Sequence, residues 1–341
     1  MTDAPPARRG LVWDWSDALF GAVCAVPSAL VMFNDVSRGV ACAVGVIPAA
    51  FVGVSAARHR RVGVLIVGAT AGISMVVGSV LAGEPWLAVT GIFVLAVVTA
   101  ELARRRPVGR LAVTLALPLV GVGLSFTEVS DALGLAVVII AGSAYAWAVS
   151  LVWPQRPVST TPDSPAVPAG DYGIRLGLAG AIAAALGFAL DLDHVGWPCA
   201  AALLVMRPSI EMTQLRSLGR VASVFIGAGA AVVFVGQDPR TAAYALSAIV
   251  VVTGAAATRT SRWYVTSMFT TFLVIVLLAQ AGPSEAVQGF NERVAETAAG
   301  VALAYLFGMV VPTIRRPRAQ HGGTRHRVPP SPSAGTGMVD H

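Results

Sequence analysis

Apolar residues occur in long, continuous runs along this chain, and polar and charged residues gather in the short segments between them. Most runs approach the roughly 20 residues that an α-helix needs to cross the hydrocarbon core of a bilayer. Within a run the apolar positions do not alternate with polar ones, which indicates helices and not the strands of a membrane barrel. Twelve runs are present, at about 18–34, 38–57, 62–82, 85–103, 109–127, 131–153, 172–190, 195–211, 217–236, 240–257, 262–281 and 289–312. The pattern predicts an all-α, polytopic transmembrane bundle of about twelve spans.

The predicted spans divide into two sets of six that carry similar features at matching places. In the first set an apolar run is followed by Arg58 to Arg61 and a glycine-rich run, and in the second Arg216 to Arg220 stand in the same order. Because six is even, both sets would cross the membrane in the same direction and form two parallel six-helix repeats. Paired bundles of this kind are typical of transporters that bind a substrate between the repeats.

These sets divide the chain into five segments. They are a cytoplasmic tail at 1–16, a first membrane half at 17–153, a linker at 154–171, a second membrane half at 172–313 and a basic cytoplasmic tail at 314–341. The linker is rich in Pro and Ser, and the tail contains Arg, Pro and Gly, compositions typical of flexible or disordered segments. The arginines of the tail either anchor the topology or contact anionic lipid headgroups.

The arginines predict the topology. All 24 basic residues are arginines, and a cytoplasmic N-terminus places all of them on the cytoplasmic side except Arg38, Arg240 and Arg293. This bias follows the positive-inside rule across successive loops. The sequence therefore predicts a multi-pass protein of the cell (inner or plasma) membrane with both termini in the cytoplasm.

Composition excludes several function classes. Apolar residues make up 55% of the chain and charged residues only 12%, about half the norm for globular proteins. The net charge of +6 does not predict nucleic-acid binding, because the arginines lie between apolar runs and form no basic domain. The three cysteines lie singly in apolar runs, so we predict no disulfide, metal site or other cofactor. The predicted spans carry few groups that could converge in an active site, which argues against an enzyme.

Two segments of the second half resemble a known family. They are His194 to Ala231, HVGWPCAAALLVMRPSIEMTQLRSLGRVASVFIGAGAA, and Arg293 to Pro312, RVAETAAGVALAYLFGMVVP. Both resemble the fusaric-acid-resistance-type family of integral membrane transporters, over about residues 172–313. The matching features are Trp197 at the outer start of a helix, Arg207-Pro208 at its inner end, and Arg220-Val221 with Gly227 at the entry to the next helix. The resemblance implies export of an organic anion, with aromatic acids among the family's substrates.

Arg207, Arg216 and Arg220 are candidates for binding such an anion. They are predicted to cluster at the inner ends of two consecutive spans, and guanidinium groups bind carboxylates through paired hydrogen bonds. Ordinary positive-inside charge is the other interpretation. Trp197 is a further candidate, for stacking on the substrate, although an interfacial aromatic belt explains it equally simply.

Acidic residues and one histidine are candidates for proton coupling. Glu292 and Glu296 lie one turn apart on the last predicted span, and carboxylates inside a membrane are costly and therefore often functional. A pair with Arg293 at the outer interface is the other interpretation. At the place in the first half that matches Glu296, the chain has Val138. Asp191, Asp193 and His194 lie in the preceding outer loop, where they act either as a proton relay or as solvated loop residues.

The sequence thus predicts a secondary, proton-coupled exporter of an organic or aromatic anion. An anion channel and a non-transporting membrane scaffold with a partner remain alternatives. Small residues spaced four apart, as in Gly68 to Gly72, favour close helix packing and leave a homo-oligomer open.

Overall fold

The structure is a computed structural model that describes residues 11–54, 57–154, 171–261, 263–280 and 283–311. These residues form helices and no strand. The predicted linker and the basic C-terminal tail lie almost entirely outside the described residues.

The first half contains seven α-helices, with a short 3₁₀ turn at Arg58–Val62 and a π-helical turn at Ala112–Ala116. The helices are α1 (Trp15–Met32), α2 (Val36–Val52), α3 (Gly63–Ala82), α4 (Pro85–Arg105), α5 (Pro107–Leu111), α6 (Leu117–Gly123) and α7 (Val129–Val152).

The second half contains six α-helices, the last of which continues into a π-helical turn at Leu306–Val310. The helices are α8 (Tyr172–Ala189), α9 (Gly196–Val205), α10 (Ile210–Val235), α11 (Thr241–Ala257), α12 (Trp263–Leu278) and α13 (Pro283–Tyr305).

A helical segment lies at each of the twelve predicted runs. Within the described ranges, seven segments are long and apolar enough to cross a membrane, and the other five are apolar but shorter. The all-α class and the multi-pass membrane character are therefore confirmed. That all twelve segments cross the bilayer stays a prediction.

Local sequence explains where several helices begin. Asp14 accepts hydrogen bonds from the backbone N–H groups of Ser16 and Asp17, and Asp35 accepts one from the N–H of Arg38. These are N-cap contacts, which satisfy backbone donors that the first helical turn leaves unpaired. Pro85 opens α4, at a position where its missing N–H costs nothing.

The helices of the two halves pack in matching pairs. Helix α1 packs along α11 and α4 packs along α8, so each half lies against the other through two long seams. Within the halves, α3 contacts α7 as α10 contacts α13, and α2 contacts α7 as α9 contacts α13. This pairing is what a duplicated six-helix unit would produce, although the duplication itself stays a prediction.

Two glycines allow one matched pair of these crossings to be close. A side chain on Gly142 of α7 would meet the backbone of Gly45 in α2 at 2.7 Å. A side chain on Gly300 of α13 would meet the carbonyl oxygen of Pro198 in α9 at 2.4 Å. In each half the last helix therefore approaches the second helix backbone to backbone, as small residues permit in membrane bundles.

Candidate functional site

Helix α9 is the short element around which the candidate residues gather. Its predicted run extends to about residue 211, but the helix ends at Val205 because Met206 adopts an extended backbone and Pro208 cannot continue a helix. Ten residues rise about 15 Å, roughly half the hydrocarbon core. The carbonyl end of α9 and the start of α10 consequently meet in the turn 206–209.

Arg207 and Arg216 bind the carbonyl end of α9. Arg207 Nη1 donates to the carbonyl oxygens of Met206 at 3.1 Å and Leu203 at 3.4 Å, and Arg216 Nη1 donates to the Leu204 carbonyl at 3.3 Å. These carbonyls lie in the last turn of the helix, where they lack intrahelical donors and where cations are favoured by the helix dipole. Burial lowers the pKa of Arg207, and contact with the Tyr172 hydroxyl partly opposes that shift. The two guanidinium groups thus have a structural role, whether or not an anion also passes them.

Arg220 lies deeper than the other two predicted arginines. It is 5% exposed, and its Nη1 donates to Ser267 Oγ of α12 at 2.5 Å. Its Nε has no hydrogen-bond partner among the described residues. The three arginines therefore do not form one cluster at an open mouth: Arg207 and Arg216 share the end of α9, and Arg220 points into the bundle.

Trp197 contacts a guanidinium and an imidazole. The Arg293 guanidinium carbon lies 3.9 Å from the centre of the Trp197 ring, and the His194 ring stacks on the same side chain at 3.9 Å with an interplanar angle of 21°. Trp197 is 5% exposed, so it is an interior residue and not part of an aromatic belt facing lipid. A cation over an aromatic face is attracted by the ring quadrupole, most strongly when both are removed from water.

His194 also connects the α8–α9 loop to α13. Its Nδ1 lies 3.3 Å from Glu292 Oε2, and Gln288 donates to Glu292 Oε1 at 2.8 Å and to Asp193 Oδ2 at 3.2 Å. We call Asp193, His194, Gln288 and Glu292 the outer cluster. Asp191 is exposed and adopts a positive φ of 48° in the tight turn after α8. Five residues were predicted for proton coupling. The structure brings Asp193, His194 and Glu292 together, with Glu296 one turn away, and it leaves Asp191 apart.

Glu296 lies one turn below Glu292 and is 4% exposed. Neither of its carboxylate oxygens has a hydrogen-bond partner among the described residues. Arg293 is its nearest source of opposite charge, and Glu292 and Asp193 add like charge from the outer cluster. A buried carboxylate without a hydrogen-bond donor is costly, which makes Glu296 the most unusual acidic residue of the described part.

Arg220, Arg293 and Glu296 form one buried charged cluster between α10 and α13. Arg293 is 8% exposed and interacts electrostatically with both other members. Arg220 lies about 15 Å along α10 from Ile210. Glu296 lies about 14 Å along its helix from Val287, the start of the candidate span Val287–Val310. Each distance is about half of the roughly 30 Å hydrocarbon core that a membrane span has to cross.

Arg293 was missed as a functional candidate by sequence reasoning. The positive-inside rule sorts arginines by loop, and Arg293 was counted with the outer surface. The available signal was its spacing: it lies three residues before Glu296 and four before the buried Thr297, on the side of α13 that also carries Gly300. That side is the one packed against α9.

Open grooves on the surface do not coincide with this cluster. Two adjoining grooves lie along the seam of α4 and α8 and are lined almost entirely by apolar side chains, including Val89, Phe93 and Phe188. Their lining provides no charged group for an anion. We therefore place the candidate site in the interior of the second half.

Comparison with protein families covers this same region. Residues 181–307 match a family model described as fusaric acid resistance protein-like. This segment is similar to that family. The match includes α9 to α12 and every candidate residue from Asp191 to Glu296, and it confirms the family that the sequence resemblance predicted. The family is one of membrane transporters and not of enzymes, which supports a transport or efflux function for this multi-pass chain. Comparisons with curated proteins and with solved structures gave no match.

Proposed function

We propose that the protein is a secondary transporter of the cell membrane that exports an organic anion and couples its movement to a proton. Both termini lie in the cytoplasm in this proposal, as the arginine distribution predicts. Aromatic acids are the first substrates to test, because the resemblance of the second half points to them.

One observation carries the proposal, the buried charged cluster of Arg220, Arg293 and Glu296. A charged side chain at the centre of a helix in a bilayer costs roughly 3 kcal/mol on insertion scales. Three such residues are therefore costly, and their presence indicates a function. Ionisable groups inside membrane segments commonly mark substrate or ion pathways. Buried Ser and Thr side chains around them, including Ser223, Ser267 and Thr271, make this part of the bundle polar on several sides.

The substrate is proposed to enter from the cytoplasm past Arg207 and Arg216 and to reach Arg220, along the side of the second half that meets the first. The surrounding arginines raise the local concentration of anions at the entrance. Because Arg207 and Arg216 already bind helix carbonyls, we assign them to attraction at the entrance and assign tight binding to deeper residues.

Glu296 is proposed to carry the coupling proton. The outer cluster provides a relay toward the external solution, since Glu292 lies one turn away on the same helix and contacts His194. Histidine exchanges protons near neutral pH, and a neighbouring carboxylate holds its ring in place. Asp193 and Gln288 complete the hydrogen-bonded path to the exposed loop.

Anion efflux from proteoliposomes across an imposed pH gradient tests this assignment. Wild type and the Glu296→Gln variant would be compared, with Glu128→Gln, an exposed residue on the outer side of the first half, as control. Efflux by wild type and by the control should depend on the gradient, and efflux by Glu296→Gln should not. An unchanged gradient dependence in Glu296→Gln would remove Glu296 from the mechanism. Flux that ignores the gradient in wild type would indicate a channel, and no flux of any tested anion would favour a scaffold.

A further inference from the structure

We infer that Arg293 and Arg220 together bind the anionic group of the transported molecule in the middle of the membrane. The substrate competes there with the carboxylate of Glu296 for the two guanidinium groups. The inference deepens the proposed function and rests on it. It names a site between α10 and α13 and assigns its principal role to Arg293, a residue that sequence reasoning assigned to the outer surface.

The charges of the cluster leave room for an anion. Arg220 and Arg293 carry two positive charges, and Glu296 carries at most one negative charge in return. The Nε groups of both arginines are buried and have no acceptor among the described residues. Guanidinium groups are well suited to hold a carboxylate because they present several donors in one plane. A single anionic group bound here would neutralise the remaining charge and accept the unused hydrogen bonds.

The entrance arginines are less suitable for this role. Arg207 and Arg216 donate to carbonyl oxygens of α9, so binding an anion there would release helix carbonyls that need a donor. Arg220 instead donates to a side-chain hydroxyl, which can rotate and find other partners. The Arg293 guanidinium lies over the Trp197 ring, and its Nε has no acceptor among the described residues.

Trp197 is a positioning residue in this arrangement. Its ring already contacts the Arg293 guanidinium and the His194 imidazole, so it holds Arg293 and does not offer an open face to a substrate. The prediction that Trp197 stacks on the substrate is replaced here by one in which it fixes the residue that does bind.

Competition with Glu296 sets the direction of proton linkage. Glu296 interacts with Arg293 and Glu292 on its own helix and with Asp193 in the α8–α9 loop. Arg293 in turn interacts with Arg220 on α10, and His194 contacts Glu292. When Glu296 is ionised it attracts the same guanidinium groups as the substrate, and when it is protonated it leaves them free. Anion binding should therefore strengthen as pH falls and should take up protons, so the anion and the proton occupy the site together. The anion and the proton would then leave the cell together, driven by the outward gradient of the anion and proton combined.

Binding of benzoate to purified full-length protein in detergent tests the site. Affinity would be measured from the shift in thermal unfolding temperature with benzoate concentration, at constant ionic strength, with neutral benzamide as the matched ligand control. Wild type should be stabilised by benzoate and not by benzamide. Arg293→Gln and Arg220→Gln should each weaken benzoate affinity about 10- to 100-fold, the loss expected for hydrogen bonds to a charged group.

A matched protein control is Arg175→Gln. Arg175 is also a largely buried arginine of the second half, but its Nη1 donates to the Phe307 carbonyl at 3.1 Å, away from the cluster. This variant should unfold at a lower temperature and keep the benzoate affinity of wild type. Equal loss of affinity in Arg175→Gln and Arg293→Gln would show a general structural effect and overturn the inference.

Glu296→Gln gives a test that does not depend on a destabilised variant. Removing the competing charge should increase benzoate affinity and abolish its rise at low pH. His194→Gln removes the imidazole that contacts Glu292, and the pH dependence left in that variant is assigned to Glu296. Weaker benzoate binding in Glu296→Gln, or no benzoate-specific stabilisation of wild type, would overturn the inference.

Flux measured on the same preparation separates this inference from the proposed function. Anion flux combined with binding that ignores Arg293 means that the site is wrong and transport stands. Benzoate binding that requires Arg293 without any anion flux means that the site stands and the transport proposal fails.

Discussion

In both halves of the chain the second and sixth helical segments cross in the same way. The crossing carries charged side chains in the second half and apolar residues in the first. In the second half, α13 places Glu292, Arg293 and Glu296 beside α9 and its loop. The corresponding positions of α7 in the first half are Gly134, Leu135 and Val138. There, Val138 packs against Gly45 of α2.

The second helices differ as well. Helix α2 has 17 residues, whereas α9 has 10 and is preceded by a polar loop that reaches α13 through His194. The comparison teaches that the packing pattern and the charged cluster are separable properties. Helices can cross closely with an apolar filling, so the charges of the second half are not needed to build the bundle. This is why we assign them to function.

The largest loss of stability is expected when a carboxylate is introduced into the first half at the position that matches Glu296. Val138→Glu would put a carboxylate against Gly45 of α2, and the first-half position that matches Arg293 is Leu135. The variant should lose about 3 kcal/mol of unfolding free energy, the cost of a charged residue at the centre of a membrane helix. Unfolding in detergent by a graded denaturant measures the loss, with Val138→Leu as the matched control. A Val138→Glu protein as stable as that control would show that the crossings tolerate charge in general.

A smaller effect is expected where a buried ion pair joins the halves. On the α1–α11 seam, Asp17 is fully buried and accepts a hydrogen bond from Arg259 Nε at 2.6 Å. The exposed counterpart is the pair of Arg175 with Asp171, 3.1 Å apart at the start of α8, in which Asp171 is 42% exposed. Asp17→Asn should cost about 2 kcal/mol, less than for a fully buried pair because Arg259 keeps some contact with solvent.

The loss of unfolding free energy in Asp17→Asn is compared with the loss in Asp171→Asn, measured in the same way. That exposed carboxylate should contribute far less, because water and salt screen it. Equal losses in Asp17→Asn and Asp171→Asn would contradict the difference that burial predicts.

The smallest effect is expected where the halves are alike. Gly142→Ala and Gly300→Ala each insert one methyl group into a backbone crossing and should each cost about 1–2 kcal/mol through overpacking. The two losses should be similar, whereas benzoate affinity should fall in Gly300→Ala alone because that crossing supports the charged cluster. Unfolding and ligand-induced stabilisation can be followed in one experiment. Similar affinities in the two variants would mean that the site is not built on the α9–α13 crossing.

The helices were predictable from sequence because lipid imposes a simple rule on each run separately. Continuous apolar runs predicted every helical segment, and capping residues such as Asp14 and Asp35 lie where helices begin. The end of α9 at Val205 was predicted too late, because apolarity continues to Met206 while Pro208 and the backbone of Met206 stop the helix.

The site was only partly predictable because its chemistry depends on long-range packing. Glu296 and His194 were recognisable as unusual from their positions along the chain. Arg293 was not, since its burial requires α9 to place Trp197 beneath it. The contact of Asp17 with Arg259 likewise joins residues 242 positions apart, and no local pattern indicates that α1 packs along α11.

The most direct test replaces two charged residues of the second half by the apolar residues found at the matching positions of the first half. The double variant Arg293→Leu and Glu296→Val carries the side chains found at Leu135 and Val138, and replacing a buried charged pair by apolar residues is often neutral or stabilising. We would measure its unfolding free energy and its flux of radiolabelled benzoate in proteoliposomes. The prediction is a protein at least as stable as wild type with no flux above that of empty liposomes. Flux at the wild-type rate from a folded double variant would contradict the assignment of transport to the buried charged cluster.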